Sequence, residues 1–247
     1  IPICSGLGRN VSMKCLIVQP GAYGDIILCA PIAEYYALRG YDVYWPARKK
    51  FHETLRKFSY VNPLLLNEDI LDEDWLRSDV MKIWPSTVDY DLVINMADRG
   101  PHPTAQQYWE NFEQCKYRLS QVPIIHKHKL TWTRDVGKED KLYDLVVKEK
   151  DYVFCHLESS RNDRAEMPSV NLPVVECREI EGYSIFDWYK VIINAKDIYC
   201  VESSIQQFLD GIVHQLKDKG RYLLSRSTLN KGQKYTYSPY WNTDYMK

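Results

Sequence analysis

Three short runs hold the residue types that could do chemistry in this chain. In the first, Gly21-Ala22-Tyr23-Gly24-Asp25, a carboxylate follows a small-residue turn that opens an apolar helix. Gly21 and Gly24 tolerate backbone angles that other residues avoid, and the Gly21-to-Gly24 loop, Tyr23 included, leaves backbone amides open to a close-approaching substrate. Asp25 could cap the helix or act as the general base that deprotonates an attacking hydroxyl. The run is neither the Gly-x-Gly-x-x-Gly dinucleotide fingerprint nor a Gly-Lys-Ser/Thr phosphate loop. The second run starts at His156 and passes through Ser160, Arg161 and Arg164 to Pro168. Hydroxyls and arginines on a loop after a strand suit a diphosphate, the hydroxyls by hydrogen bonds and the arginines by forked, charge-assisted ones; the same composition also suits a solvated loop. The third run, Glu202-Ser203-Ser204-Ile205-Gln206-Gln207, reads as a strand end followed by a hydroxyl-capped helix. The positive end of that helix would favour a phosphate, although Ser203 or Ser204 can cap it with no ligand present.

Strands and helices must hold these runs in place. Residues 15–18 form the short apolar run of a parallel strand covered on both faces, residues 26–38 are apolar almost all round, and Gly40 stops the helix. A strand over 41–45, a helix over 49–59, a strand over 62–66 and an acidic helix ending before Pro85 continue the alternation. A strand over 91–95 has a polar carboxyl end, where open parallel sheets place ligands, and an aromatic helix follows over about 104–120. Residues 121–135 read as a linker or a final strand. Beyond them come a helix over 138–147, strands over 152–156, 173–176, 197–201 and 221–224, and helices over 185–195 and 203–217. The fold class is α/β in two tandem units, residues 13–135 and 136–225, with a tail over 226–247.

A chain of 247 residues, 45% hydrophobic and 26% charged, has room for two modest domains. Its formal charge of -1 supplies no global basic field for nucleic acid. Seven cysteines with no Cys-x-x-Cys pair, three of them in expected strands, point to reduced, buried thiols and a cytoplasmic protein. No apolar run approaches the roughly 20 residues of a membrane span, and no signal sequence opens the chain. Met13-Lys14 reads as a natural start, so the first residues are set aside from the fold.

The run from Gly21 through Gly24-Asp25 to Pro31 resembles the amino-terminal Gly-Asp-x-x-x-x-x-Pro motif of the heptosyltransferase-like glycosyltransferases of family 9. The run from Ser160 to Arg164, leading to Pro168, is similar to that family's hydroxyl-Arg-x-x-Lys loop before Trp-Pro. The run from Glu202 to Gln207 is similar to its Asp-Thr/Ser-Gly-x-x-His segment, and the three occur in the family's order. The resemblance implies two facing Rossmann-like domains of the GT-B type with a cleft between them, residues 13–135 on the acceptor side and 136–225 binding the donor. It implies inverting, metal-independent transfer of a sugar from a nucleoside-diphosphate sugar, which is a co-substrate, so that no cofactor is needed. Asp25 falls on the family's base, Ser160 and Arg164 on donor-phosphate contacts, and Ser203 and Ser204 on the helix start that meets the diphosphate. His156, Arg161, Glu202 and Gln207 complete the expected donor side. Glu202 stands in place of the family's Asp, Ser204 of its Gly, Gln207 of its His and Arg164 of its Lys, so a heptose donor does not follow.

Other signals point elsewhere. Asp72-x-Asp74 and Asp89-x-Asp91 match a metal-holding Asp-x-Asp pattern that often arises by chance, and His126-x-His128 lacks the Cys or carboxylate partners of a metal site. The tail interleaves Arg221, Arg226, Lys231 and Lys234 with Tyr222, Tyr235, Tyr237, Tyr240 and Trp241, which suits a polyanion such as DNA or a segment packing back on the first domain. The acceptor is therefore either a glycan or a hydroxymethylated base in DNA. A non-catalytic nucleotide- or glycan-binding module is the alternative function, argued from the substitutions at 202, 204 and 207.

Overall fold

Cys15 to Val18 are fully buried in β1 (Met13–Val18), which the computed structural model places between β2 (Tyr41–Ala47) and β4 (Leu92–Asn95). The described residues are 12–19, 22–66, 89–96, 112–158, 164–224 and 239–242. With β3 (Val61–Leu65) the first sheet has the order β3-β2-β1-β4, and all its pairings are parallel. Pro63 is tolerated because β3 lies at the sheet edge, where one side needs no ladder partner. A second parallel sheet contains β5 (Val153–His156), β6 (Val174–Glu176), β7 (Asp197–Val201) and β8 (Gly220–Leu224) in the order β6-β5-β7-β8. Each order reverses once, between β1 and β4 and between β5 and β7. In open parallel sheets, ligands bind beyond the carboxyl ends of the strands at such a reversal.

The helices follow from burial and their stop signals. α1 (Tyr23–Ala37) buries Ile26 to Ala33, and Gly40, at φ +87°, ends it with its N–H on Ala37 O at 3.0 Å. The helix expected over 49–59 is shorter, a 3-10 turn (Lys49–Phe51) running into α2 (His52–Leu55). α3 (Phe112–Leu119) is the carboxyl part of the aromatic helix; its expected beginning, and the acidic helix before Pro85, lie outside the described residues. α4 (Val136–Val146), a 3-10 turn (Ile185–Trp188) leading into α5 (Tyr189–Asn194), and α6 (Ser204–Gly211) complete the set.

The strand allowed for within 121–135 is not formed. These residues carry a 3-10 helix (Ile124–His128), because Pro123 has no N–H for a ladder and Lys127 turns inward to a buried carboxylate. Lys127 Nζ lies 2.6 Å from Asp210 Oδ2 and also binds Glu113 of α3. Asp210 accepts further bonds from Gln206 Nε2 and Trp241 Nε1, both at 2.6 Å. Burial pushes the Asp210 carboxyl up, against the attraction of Lys127. The network joins α3, the linking turn, α6 and the end of the chain.

The larger apolar cluster runs through both sheets, including Ile17, Ile32, Trp45, Phe154 and Phe208, with α1 packed on α6, and a smaller one around Val153, Cys155, Tyr199 and Val201 covers the second sheet. Of the tail, residues 239–242 lie along β8: Leu223 N–H donates to Asn242 O at 2.9 Å and Asn242 N–H to Arg221 O at 2.8 Å. Trp241 is buried, and the ring of Tyr240 sits 5.0 Å from that of His128.

Candidate active site

One group of candidate residues lies at the carboxyl ends of β1 and β4. Gln19, the residue after β1, is held twice: Trp45 Nε1 donates to its backbone oxygen at 2.8 Å, and the buried Lys116 ammonium binds its side-chain oxygen. Lys116 also binds Met96 O, just past β4, and so ties the two strand ends together. α1 begins at Tyr23. Asp25 is half-buried, and its Oδ2 accepts the Ala22 N–H at 3.3 Å, so the capping role is realised. Burial pushes the Cys29 thiol up; Lys116 lowers it and Asp25 raises it, so both charges act on the same spot within the first turns of α1. Tyr23 is exposed, its hydroxyl donating to Lys50 O at 3.3 Å and its ring edge-on to Phe51 at 4.9 Å.

Gly24 corrects one expectation. It lies within α1, and the glycines at positive φ among the described residues are Gly40 and Gly182, so Gly24 supplies no unusual backbone angle. What it supplies is room: a methyl group there would lie 3.5 Å from Ser204 Cα and 3.8 Å from Gln207 Cγ. The starts of α1 and α6 meet at this glycine.

A second group lies at the carboxyl ends of β5 and β7. Ser203 caps α6, accepting the Gln206 N–H at 3.4 Å, and its Oγ lies 3.1 Å from His156 Nδ1. Burial holds His156 well below its usual range, at about 4, against the opposing pull of Glu158 and Glu176. Ser204 is half-buried at the first helical position, and Glu202 is half-buried just before the cap. The Gln207 amide nitrogen donates to Glu113 Oε1 at 2.9 Å and to Gln206 Oε1 at 3.0 Å, which fixes its orientation. Its carbonyl oxygen is buried and has no hydrogen-bond partner among the described residues.

Arg164 is not joined to this group. A β-bridge between Glu158 and Arg164 closes the base of the loop, and Arg164 Nη1 sits 2.7 Å from Glu176 Oε1 and 3.3 Å from Glu158 Oε1. Hydrogen bonds from Arg164, then Arg178, hold the Glu176 carboxyl below its usual range. Ser160 and Arg161 lie outside the described residues, as does Gly21. The structure thus brings Gly24, Ser204 and Gln207 together, and His156 with Ser203. The Asp-x-Asp signals lose Asp91, whose carboxylate accepts the Lys14 N–H at 2.7 Å where β4 begins; Asp72 and Asp74 lie outside the described residues.

Sequence reading missed Lys116, Glu113, Gln206 and Asp210. Glu113 and Lys116 stand one turn apart on α3, as Gln206 and Asp210 do on α6, and a polar i, i+3 or i, i+4 pair on a helix flanked by apolar residues was the available signal. Nothing local distinguishes such a pair from a solvated face.

No protein-family model and no curated protein matches the sequence. In structure, the chain is similar to a family 9 glycosyl transferase from Veillonella parvula, with 9% identity, 86% of this chain and 79% of that chain covered, and a TM-score of 0.52. It also aligns with the E. coli heptosyltransferase WaaC holding ADP-2-deoxy-2-fluoro heptose, at 12% identity over 93% and 92% of the two chains and a TM-score of 0.49. The fold is α/β, similar to that of the family 9 glycosyl transferase. Among the described residues, no helix is long and apolar enough to cross a membrane.

Proposed function

We propose that this protein is a glycosyltransferase that moves a sugar from a nucleoside-diphosphate sugar to a hydroxyl, with inversion and without a required metal. The observation that carries the reading is the packing of α1 on α6, so close at Gly24 that a Cβ there would lie 3.5 Å from Ser204 Cα, which brings the helix start that carries Asp25 to the helix start that carries Ser203. Asp25 takes the proton of the acceptor hydroxyl, whose oxygen bonds to the anomeric carbon as the bond from that carbon to the diphosphate oxygen breaks. The nucleoside diphosphate leaves carrying the negative charge, which Ser203, Ser204 and the first-turn amides of α6 stabilise. Arg164, with Ser160 and Arg161 of the same loop, reaches the phosphates by exchanging its carboxylate partners for them. One base and a single displacement give inversion, by analogy with glycoside hydrolysis.

The acceptor we favour is a saccharide hydroxyl. A hydroxymethylated base in DNA is the other candidate; against it, Arg221 and Tyr222 of β8 and Tyr240 and Trp241 of the tail already have partners within the protein, while Arg226, Lys231, Lys234, Tyr235 and Tyr237 lie outside the described residues. The test is release of nucleoside diphosphate from a panel of nucleotide sugars, with saccharide or hydroxymethylated DNA supplied separately. Asp25→Asn should abolish transfer and leave donor affinity nearly unchanged; surviving turnover would reduce Asp25 to a cap.

A second reading, a non-catalytic nucleotide- or glycan-binding module, is favoured by the engagement of Arg164 with Glu176 and Glu158. It predicts nucleotide binding with no diphosphate released from any sugar donor.

A further inference from the structure

His156 ends β5 and Ser203 follows β7, so the two side chains meet at the reversal point of the second sheet. His156 Nδ1 and Ser203 Oγ are 3.1 Å apart, a distance that leaves open which atom carries the proton. The surroundings decide it. Ser203 Oγ already accepts the Gln206 N–H, a backbone group that can only donate. The hydroxyl proton then has two neighbours, His156 Nδ1 at 3.1 Å and Cys200 Sγ at 3.9 Å. An imidazole nitrogen is much the stronger acceptor, and the Cys200 thiol spends its own proton on Val201 O at 3.1 Å. Ser203 therefore donates to Nδ1, and the ring proton is left on Nε2, for which the described residues supply no acceptor.

We propose that Ser203 locks His156 in the Nε2–H tautomer and that this N–H donates to an anionic oxygen of the bound diphosphate. The inference rests on the donor-site reading above. Burial keeps the ring neutral at neutral pH, with a value of about 4, so His156 donates a hydrogen bond without passing on its proton. A neutral donor binds a phosphate oxygen without the desolvation cost of a second buried cation. It also lies beside the capped start of α6, whose first-turn amides point the same polarity at the same ligand. His156 is thus a binding residue with a fixed role, and Ser203 is its positioning residue.

The test uses the full chain, labelled with 15N at histidine, with His156 assigned by loss of its signals in His156→Gln. At pH 7 without ligand, His156 should show a protonated Nε2 and an unprotonated Nδ1, and Ser203→Ala should convert it to a mixture of tautomers. A ring protonated on Nδ1, or a spectrum indifferent to Ser203→Ala, overturns the lock. ADP, GDP and UDP, with inorganic pyrophosphate as the phosphate-only probe, should then shift Nε2–H while Nδ1 stays coupled to Ser203. His156→Phe should weaken the best-bound nucleoside diphosphate by roughly 10- to 100-fold, the range for a hydrogen bond to a charged group. A nucleoside diphosphate that binds while leaving Nε2–H unmoved overturns the ligand assignment and leaves the donor site standing. If none of the three binds, the donor-site reading fails and takes the ligand assignment with it, while the ligand-free spectrum still decides the lock.

Discussion

Gly24 of α1 and Ser204 of α6 stand in van der Waals register: a methyl group on Gly24 would meet Ser204 Cα at 3.5 Å and Gln207 Cγ at 3.8 Å. That spacing accepts one carbon and no more. Gly24→Ala should therefore leave stability within about 1 kcal/mol, as the position is helical and Ala is the better helix former. Gly24→Leu must push the two helix starts apart, and it should lower turnover and diphosphate affinity together. Calorimetric titration with ADP, GDP and UDP beside a melting curve separates the two variants. Tight binding by Gly24→Leu would show that the contact is incidental to the site.

Lys127 is nine-tenths buried or more and faces the fully buried Asp210 at 2.6 Å. Removing one partner of such a pair leaves an uncompensated charge, whereas removing both does not. Lys127→Met should cost about 3–5 kcal/mol in urea unfolding. The double change Lys127→Met with Asp210→Leu should recover a large part of that loss, and strict additivity would refute the pairing.

The Lys116 ammonium joins Gln19, after β1, to Met96, after β4. Lys116→Met would leave two buried oxygens each short of a donor, at about 1–3 kcal/mol apiece. The expected result is a loss of stability together with a reduced kcat, since Gln19 lies between β1 and the first turn of α1, which carries Asp25. Hydrogen exchange should report faster opening around residues 15–19 and 92–96, with β5 to β8 unaffected.

Acid should weaken the fold through His156. Its folded value of about 4 lies below the unfolded value near 6.5, so the unfolded chain binds the extra proton between those values. The associated stability is present above pH 6.5 and is lost as pH falls towards 4. Glu176, held below its ordinary range by Arg164, adds a loss in the same direction at lower pH. Melting temperatures across this window should fall less steeply in His156→Gln than in the parent protein.

Gly211 closes α6 against the linking segment. A methyl group there would lie 2.6 Å from Leu130 Cβ, and Leu130 N–H donates to Gly211 O at 3.0 Å. Cβ is fixed to the backbone and cannot swing away, so Gly211→Ala should destabilise by about 1–3 kcal/mol. Relief by a second change, Leu130→Gly, which removes that Cβ, would locate the clash.

Much of the fold was legible because its signals are local. The apolar run Cys15–Val18, the all-round apolar helix ending at Gly40 and the alternation of strands and helices after residue 150 each depend on neighbours in the chain. The segment over 121–135 was not legible. Whether Lys127 is a solvated turn residue or a buried cation depends on Asp210, far along the chain. Gly24 was legible as a small residue, but its use as contact space for Ser204 depends on how α1 packs on α6.

The site divides in the same way. By itself the sequence determined that Asp25 opens a buried helix, that Ser203 or Ser204 caps a second one and that His156 ends a strand, because caps and strand ends follow from residue type and spacing within a few positions. Only the tertiary structure decided that His156 bonds Ser203, that Glu113 and Gln206 pin the Gln207 amide, and that Glu176 and Glu158 hold Arg164. The His156–Ser203 pairing arises because β7 lies beside β5 out of chain order, so that residues remote in the chain end side by side at the sheet's reversal point.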